Sequence, residues 1–236
     1  MTKIKQERKF VIVTIDGPAG AGKSSVAKAL AKRLKFSYLD TGAMYRALTL
    51  KAVREKINLK DEGALVRLAK KTKIDLKDDS QKGLVILLDG KDVSEEIRSE
   101  QVTNNTFYIA RTPGVRGVMV EWQRRIGQQR SVVVEGRDIG TVVFPHATYK
   151  FYLDADFEER AKRRINELKA KGAQINDTAV KIDLKERDTK DSTRKVGPLK
   201  KADDAILIDS TNFSVDEVVE KILGHIKQFS TVNHSS

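Results

Sequence analysis

The chain has 236 residues with 45 Lys and Arg against 33 Asp and Glu, a formal net charge of +12. Hydrophobic residues are 39% of it, enough for a core in a chain that should bury roughly 70% of its unfolded surface, which argues against bulk disorder. The absence of cysteine excludes disulfide frameworks, thiolate zinc sites, iron–sulfur clusters and cysteine nucleophiles, and His146, His225 and His234 are too few and too scattered for a histidine-built metal site.

In chain order, Met1–Lys9 is charged and lacks the apolar stretch of a signal peptide. Phe10–Ile15 is a β-branched run that passes directly into Asp16-Gly17-Pro18-Ala19-Gly20-Ala21-Gly22-Lys23-Ser24-Ser25. Val26, Leu30 and Leu34 then keep helical spacing among alanines, so this region reads as strand, glycine-rich turn, helix. A second apolar stretch at Tyr38-Leu39 ends in Asp40-Thr41-Gly42 and continues as a helix through Met44, Leu48 and Val53. Lys60–Lys73 is another helix. Ile74–Leu76 and Leu84–Leu88 read as short strands, with Asp89-Gly90 supplying turn chemistry. The run Leu84–Leu88 is also the longest aliphatic stretch, far short of the ~20 residues that cross a bilayer.

Ser99–Arg130 is helical with a break at Thr112-Pro113-Gly114. Strands return at Val132–Val134, ending in Glu135-Gly136, and at Tyr149–Leu153, ending in Asp154. Helices are expected over Phe157–Lys171 and Thr178–Lys190, followed by a basic stretch from Thr189 to Lys201. A last strand, Ala205–Ile208, precedes an amphipathic helix from Val215 to about Phe229. Strands alternating with helices imply a parallel sheet covered on both faces. The segment from about 60 to 110 reads as an insertion, because it carries the only hairpin-like signal.

Gly17-x-x-x-x-Gly22-Lys23-Ser24 matches the P-loop pattern in its required strand-to-helix context. Glycines let successive N–H groups converge on phosphate oxygens, and the helix N-terminus adds its positive end. Lys23 neutralises β/γ charge, and the Ser24 hydroxyl is the candidate Mg²⁺ ligand. Leu84–Leu88 followed by Asp89 imitates a second acidic motif, but Asp89-Gly90 is a hairpin dipeptide within the insertion. Glu135 and Asp138 are better placed acids. No Asn-Lys-x-Asp guanine signature occurs.

Arginines recur after strand-end turns: Arg46, Arg116 and Arg137. A second group comprises Arg160, Arg163 and Arg164 on one helix, then Arg187 and Arg194. From Lys185 to Lys201 seven Lys/Arg face three Asp/Glu. Such clusters suit a reaction between two phosphorylated molecules, since unit charges 4 Å apart repel by about 4 kcal/mol at an effective dielectric near 20. Arginine's planar fork binds phosphate through two hydrogen bonds. A phosphate acceptor is mostly ionised at neutral pH, with a second pKa near 6, and needs no general base.

These motifs resemble those of the bacterial cytidylate kinase family. The resemblance rests on Asp16–Ser25, on Leu39-Asp40-Thr41-Gly42-Ala43-Met44-Tyr45-Arg46, on Glu135-Gly136-Arg137-Asp138-Ile139-Gly140-Thr141-Val142-Val143-Phe144-Pro145, and on Lys185-Glu186-Arg187-Asp188 through Asp191 to Arg194. It runs from about Phe10 to Phe229 with the motifs in order. It implies an α/β, P-loop three-layer fold with a five-stranded parallel sheet: core about 9–40, 110–170 and 202–229, a monophosphate-binding insertion about 41–109, and a small lid about 171–201. The implied reaction transfers phosphoryl from ATP, with Mg²⁺, to CMP or dCMP. ATP would be bound by Gly17, Pro18, Ala19, Gly20, Ala21, Gly22, Lys23, Ser24 and Ser25. Cytosine contacts carry over to Thr41, Arg116, Asp138 and Arg194, and contacts to the acceptor's phosphate and sugar to Arg46, Arg137, Arg187 and Asp191. Lys23, Arg137 and Arg163, the last with Arg160 and Arg164 as rivals, would act on the transferring phosphoryl group.

Residue chemistry supports part of this. Cytosine offers an N4 amino donor and the N3 and O2 acceptors; Asp138 can accept from N4 while arginines donate to N3 and O2. Uracil reverses the polarity at positions 3 and 4 and leaves groups unpaired. Thr41 keeps the hydroxyl where the family often has Ser, and Ser25 stands where related kinases often have Thr. The expected partners are small nucleotides, with no specific nucleic acid or membrane, for a monomer in the cytoplasm. A nucleotide-gated RNA-binding protein would also use the +12 charge, but aromatics are 6% and few interleave with the basic stretches. A kinase of UMP, AMP or shikimate is a closer rival. The 189–201 stretch, with Gly197-Pro198 as hinge, is expected to close over the site and exclude water.

Overall fold

A computed structural model of the chain describes residues 10–79, 83–170, 172 and 174–232; the reading of Met1–Lys9, and His234, lie outside them. Strand β1 (Ile12–Asp16) ends at the glycine-rich loop, from which helix α1 (Lys23–Leu34) leads to β2 (Ser37–Asp40). Gly22 opens α1 in the left-handed region, φ 86°, a conformation that costs glycine least because it has no Cβ. Val26, Ala27, Leu30 and Ala31 turn to the core, as their spacing requires. Beyond β2 come α2 (Thr41–Arg54) and α3 (Glu62–Lys71), then a separate antiparallel sheet of β3 (Ile74–Asp79), β4 (Gly83–Leu88) and β5 (Lys91–Asp92).

Helices α4 (Glu100–Arg111) and α5 (Pro113–Gln129) follow, broken where Pro113 starts α5, a first-turn position at which its missing N–H costs nothing. The chain then forms β6 (Val132–Gly136), β7 (Tyr149–Asp154), α6 (Phe157–Ala170), α7 (Asp177–Thr193), β8 (Ile206–Asp209) and α8 (Val215–Val232). The five-stranded sheet has the order β2–β6–β1–β7–β8 and every pairing is parallel. Val132, Val133 and Val134 are wholly buried, as expected of an inner strand covered on both faces.

One face of this sheet packs Val13, Ile15, Phe151 and Leu153 against Leu30 of α1 and Val218, Val219 and Ile222 of α8. The other packs Leu39, Val132 and Val134 with Met44 and Leu48 of α2, Leu65 of α3 and Met119 of α5. Helix α2 is sandwiched: its Ala43, Ala47 and Leu50 meet Ile86, Leu88 and Val93 of the small-sheet region. That double burial explains why its sequence is apolar nearly all round.

Several boundaries differ from the sequence reading. Strand β1 begins at Ile12 rather than Phe10 and extends through Asp16, which pairs with Gly136. Asp89-Gly90 makes the expected hairpin turn, and the strand it leads into is an additional one. The dipeptide turns β4 into β5, with φ 49° at Asp89 and 83° at Gly90, the doubly positive geometry of a two-residue hairpin. Helix α7 continues to Thr193 and α8 to Val232. Residues Ile139–Val143, assigned no element from sequence, form a π-helical turn in which Phe144 N–H reaches Ile139 O at 2.7 Å. No helix among the described residues is long and apolar enough to cross a membrane.

Candidate active site at the carboxyl edge of the sheet

Because β1, β2 and β6 are parallel and in register, Asp16, Asp40, Glu135 and Gly136 finish at one edge. The strand order reverses direction beside β1, and crevices outside the carboxyl ends at such points are where open α/β sheets bind ligands. The glycine-rich loop occupies this edge. Gly17 lies so close to the Leu153 carbonyl that a Cβ would collide with it, which fixes the residue type. Gly20 and Gly22 are left-handed, φ 77° and 86°, letting the backbone curl into a nest of amides.

Lys23 is buried and its Nζ donates to Pro18 O at 2.6 Å. Loss of solvent and the neighbouring Arg137 bring its pKa down to about 7. Ser24 faces outward at the start of α1, with its hydroxyl against Glu135. Glu135 is buried, accepts from Tyr38 Oη at 2.6 Å, and its carboxyl is raised by burial and by Asp40. Ser24 and Glu135 thus present hard oxygen donors beside the loop, the donor type Mg²⁺ requires. Ser25 is exposed one residue further on.

Asp40 ends β2 and caps α2, accepting from Ala43 N–H at 2.8 Å, while its second oxygen accepts from Arg46 at 3.1 Å. Thr41 Oγ1 donates to Glu135 O at 2.8 Å. Asp138 is held between two guanidinium groups: Arg116 donates to Oδ2 and Arg194 to Oδ1, the latter at 3.3 Å. Burial raises the Asp138 carboxyl, and the two arginines only partly offset it. Arg116, Asp138 and Arg194 therefore form one wall, with the Arg116 guanidinium 5.8 Å from the centre of the Tyr45 ring, one turn along α2 from Thr41.

Arg137, next along, donates to Asp191 of α7 at 2.7 Å. Burial alone would raise Asp191, but Arg137, Arg187 and Arg194 hold it below the usual carboxylate range. Arg187, one turn earlier on α7, makes no hydrogen bond or ion pair among the described residues. Although the residue is exposed, loss of solvent around its guanidinium and repulsion from Arg137, Arg46 and Arg164 outweigh the attraction of Asp191 and lower its pKa to about 10.

Of the three α6 arginines, Arg163 borders the loop at Gly22. Its donors are taken by Glu159 (3.1 Å), Ser210 Oγ (3.2 Å), Ser210 O (2.6 Å) and Thr211 O (3.1 Å). Arg160 donates to Ala19 O at 3.0 Å and to Asp188 of α7 at 2.5 Å. Arg164, half-buried, donates to Glu167 at 2.8 Å. Gly197 is packed against Arg116 and Asp138 with φ 59°, and Arg194 donates to its carbonyl, so the 194–200 loop lies over the Asp138 wall. Asp89 is remote from this chemistry, bound to Lys51 at 2.6 Å and to the Lys73 amide at 2.9 Å. Sequence reasoning gave no role to Tyr38, Tyr45, Asp188 or Asp16. Only Asp16 carried a signal, a carboxylate closing an apolar strand just before a glycine.

The cytidylate kinase family model matches residues 13–228. A cytidylate kinase of Caldanaerobacter subterraneus subsp. tengcongensis is 50% identical over 218 residues, covering 92% of this chain and 95% of that protein. A cytidylate kinase of a Geobacillus species (strain WCH70) is 50% identical over 216 residues, covering 92% and 96%. A solved structure of an uncharacterized protein from Eubacterium ventriosum shares the fold, with TM-score 0.50 at 13% identity over 92% of this chain and 98% of that one. With the phosphate loop, the Asp138 wall and the arginine cluster at one sheet edge, and with a match over almost its whole length, the chain belongs to the cytidylate kinase family.

Proposed function

We infer that the chain performs the reaction of its family, ATP-dependent phosphorylation of CMP or dCMP to CDP or dCDP with release of ADP. The observation that carries the residue assignment is Asp138 suspended between Arg116 and Arg194, on the same strand-end segment to which Thr41 is bonded at Glu135. This cluster offers an acceptor to the cytosine amino group and donors to N3 and O2. The ATP phosphates take the amides of Gly17–Ser25 and the ammonium of Lys23. Arg46, Arg137, Arg187 and Asp191 take the acceptor's phosphate and sugar. Arg163, anchored to the loop after β8, presents its charge to the transferring phosphoryl group from the Gly22 side.

Mg²⁺ would be held by Ser24 and the nucleotide phosphates, with Glu135 as an outer acceptor, and would supply neutralisation of phosphate charge. The protein's own contribution is alignment and cation density. We read the partners as small nucleotides alone, acting on a monomer in the cytoplasm; the cysteine-free composition suits a reducing compartment.

A panel of CMP, dCMP, UMP, AMP and shikimate with ATP and Mg²⁺ tests the reading. ADP should form with the cytidylates far faster than with the others. Equal turnover across the panel, or ADP release without any acceptor, would refute it.

A further inference from the structure

Asp16 is the last residue of β1, stands immediately before Gly17, and is buried, at 3% exposure. Its two oxygens each accept a backbone N–H, Oδ1 from Ile139 at 2.8 Å and Oδ2 from Gly140 at 2.7 Å. Those amides open the π-helical turn that follows Asp138. The first amides of a helical turn have no partner within it, so the carboxylate caps this turn from a different strand. Gly140 makes the approach feasible, since a Cβ there would stand 3.3 Å from Asp16 Oδ2 and 3.2 Å from Thr14 Oγ1.

A charged group this deep is costly to bury, and burial pushes its pKa up to about 6. A neutral side chain could cap one amide at less cost. Only a carboxylate offers two equivalent acceptors, and two acceptors fix both the position and the tilt of the turn. Asp138 itself has φ −142° and ψ 30°, neither helical nor extended, so its direction depends on how residues 139 and 140 are held. The turn is gripped again at its far end, where Arg124 donates to Val143 O and Val142 O, each at 2.8 Å.

We propose that Asp16 is a positioning residue for acceptor selection: by holding the Ile139 and Gly140 amides it aims Asp138 at the acceptor's base. The same residue opens the phosphate loop, so one carboxylate ties the donor and acceptor halves of the site. The inference rests on the reading of Asp138 as the group that meets the cytosine amino function.

The experiment measures steady-state kinetics of the full chain with CMP and UMP for Asp16→Asn, with Asp138→Asn as reference. Asp16→Asn keeps one acceptor and turns a donor toward the second amide. It should raise KM for CMP about tenfold and narrow the CMP:UMP ratio of kcat/KM by a similar factor. KM for ATP and kcat at saturating CMP should stay within about twofold. A merely structural role would depress kcat for both acceptors and leave their ratio intact, and that result overturns the proposal. If Asp138→Asn shifts the ratio and Asp16→Asn does not, the positioning role alone fails. If Asp138→Asn leaves the ratio unchanged, the reading of Asp138 fails first. Should Asp16→Asn not fold, Gly140→Ala, which crowds the same carboxylate, must give the same KM and ratio signature in smaller measure; an unchanged ratio there equally overturns the proposal.

Discussion

Replacing Asp138 by asparagine tests the base-reading wall more sharply than truncation does. Alanine would leave the guanidiniums of Arg116 and Arg194, both largely withdrawn from solvent, without their anion. Breaking a buried pair in this way costs about 3–5 kcal/mol, and the protein could lose its fold before it lost selectivity. Asparagine keeps the volume, and its carbonyl still accepts from one arginine, but the other prong becomes a donor. Facing the cytosine amino group, that donor replaces a charged acceptor. The lost hydrogen bond is worth about 1.5–3 kcal/mol, so kcat/KM for CMP should fall about 10- to 150-fold. Uracil presents a carbonyl at position 4, to which the new donor is complementary, so UMP should lose less or gain. No hydrogen bond links Asp138 to the 17–25 loop among the described residues, and KM for ATP should hold within about twofold. ADP release with CMP, dCMP and UMP titrated against ATP and Mg²⁺ measures all three effects. A folded Asp138→Asn protein with an unchanged CMP:UMP ratio would refute the assignment.

Arg187 makes no ion pair among the described residues, and repulsion from Arg137, Arg46 and Arg164 opposes the attraction of Asp191. Arg187→Ala should therefore leave stability in urea within about 0.5 kcal/mol of the parent while raising KM for CMP at least tenfold; a loss above ~1 kcal/mol would contradict the repulsion argument. Asp188 fastens α7 to the phosphate loop, accepting from Ala19 N–H at 3.3 Å and Arg160 at 2.5 Å, over a small apolar contact of Ala19, Ala161 and Leu184. Asp188→Asn should cost this attachment about 1–2 kcal/mol and speed proteolysis within 190–200 roughly 5- to 30-fold without nucleotides, an effect that ATP with CMP should suppress; parental cleavage rates would count against the attachment. Asp16, facing the charges of Asp138 and Lys23 and the Ile139 and Gly140 amides, has its pKa raised from 3.8 to about 6 by burial. Between those values the folded state binds the extra proton, so stability falls as pH rises through the window, by about 3 kcal/mol in total, and the cost is fully present above pH 6. Urea melts at pH 4 and pH 7.5 should show this slope in the parent and not in Asp16→Asn; parallel slopes would refute it.

The parallel core was legible because its strands are short runs rich in aliphatic and aromatic residues ended by acids and glycines, a pattern that needs no tertiary knowledge. The break at Pro113 was equally local. Strand β5 was not legible: Lys91-Asp92 is exposed and polar, and only pairing with Leu87 and Leu88 makes it a strand. The π-helical turn at 139–143 was hidden for a related reason. Its sequence, Ile-Gly-Thr-Val-Val, has strand propensity, and a carboxylate 123 residues away holds its first amide. Within the site, motif order located Asp138 and the arginines but not their pairings. That Asp138 takes one arginine from α5 and another from beyond α7, and that Arg163 spends its donors on the loop after β8, depends on distances between elements that no spacing encodes. Gly197 illustrates the limit: beside Pro198 it reads as a hinge, and nothing in the sequence shows that its lack of a Cβ also lets the loop lie against Arg116 and Asp138.

The cations of this edge are unequally compensated, and that inequality is what can bring two anions together. Burial works against the Arg137 charge, but Asp191 at 2.7 Å more than restores it. Arg187 and Lys23 are left short, their pKa values lowered to about 10 and about 7. A phosphate dianion beside either one supplies the countercharge that burial makes scarce, and beside Lys23 it also favours the protonated form, so binding gains most where the protein's own carboxylates supply least. Donor and acceptor phosphates would otherwise repel by about 4 kcal/mol per pair of unit charges at 4 Å. The acceptor oxygen is already ionised at neutral pH, so proton abstraction is not required. Of the two described histidines, His225 packs on α8 with its ring 6.4 Å from that of Phe151, on the face of the sheet that holds Leu30 and Ile222 rather than at the edge. Catalysis then reduces to alignment and field. Alignment is governed by the β1–β6 register, in which Asp16 stands opposite Gly136, so the start of the phosphate loop and the Arg137-Asp138 pair move as one body.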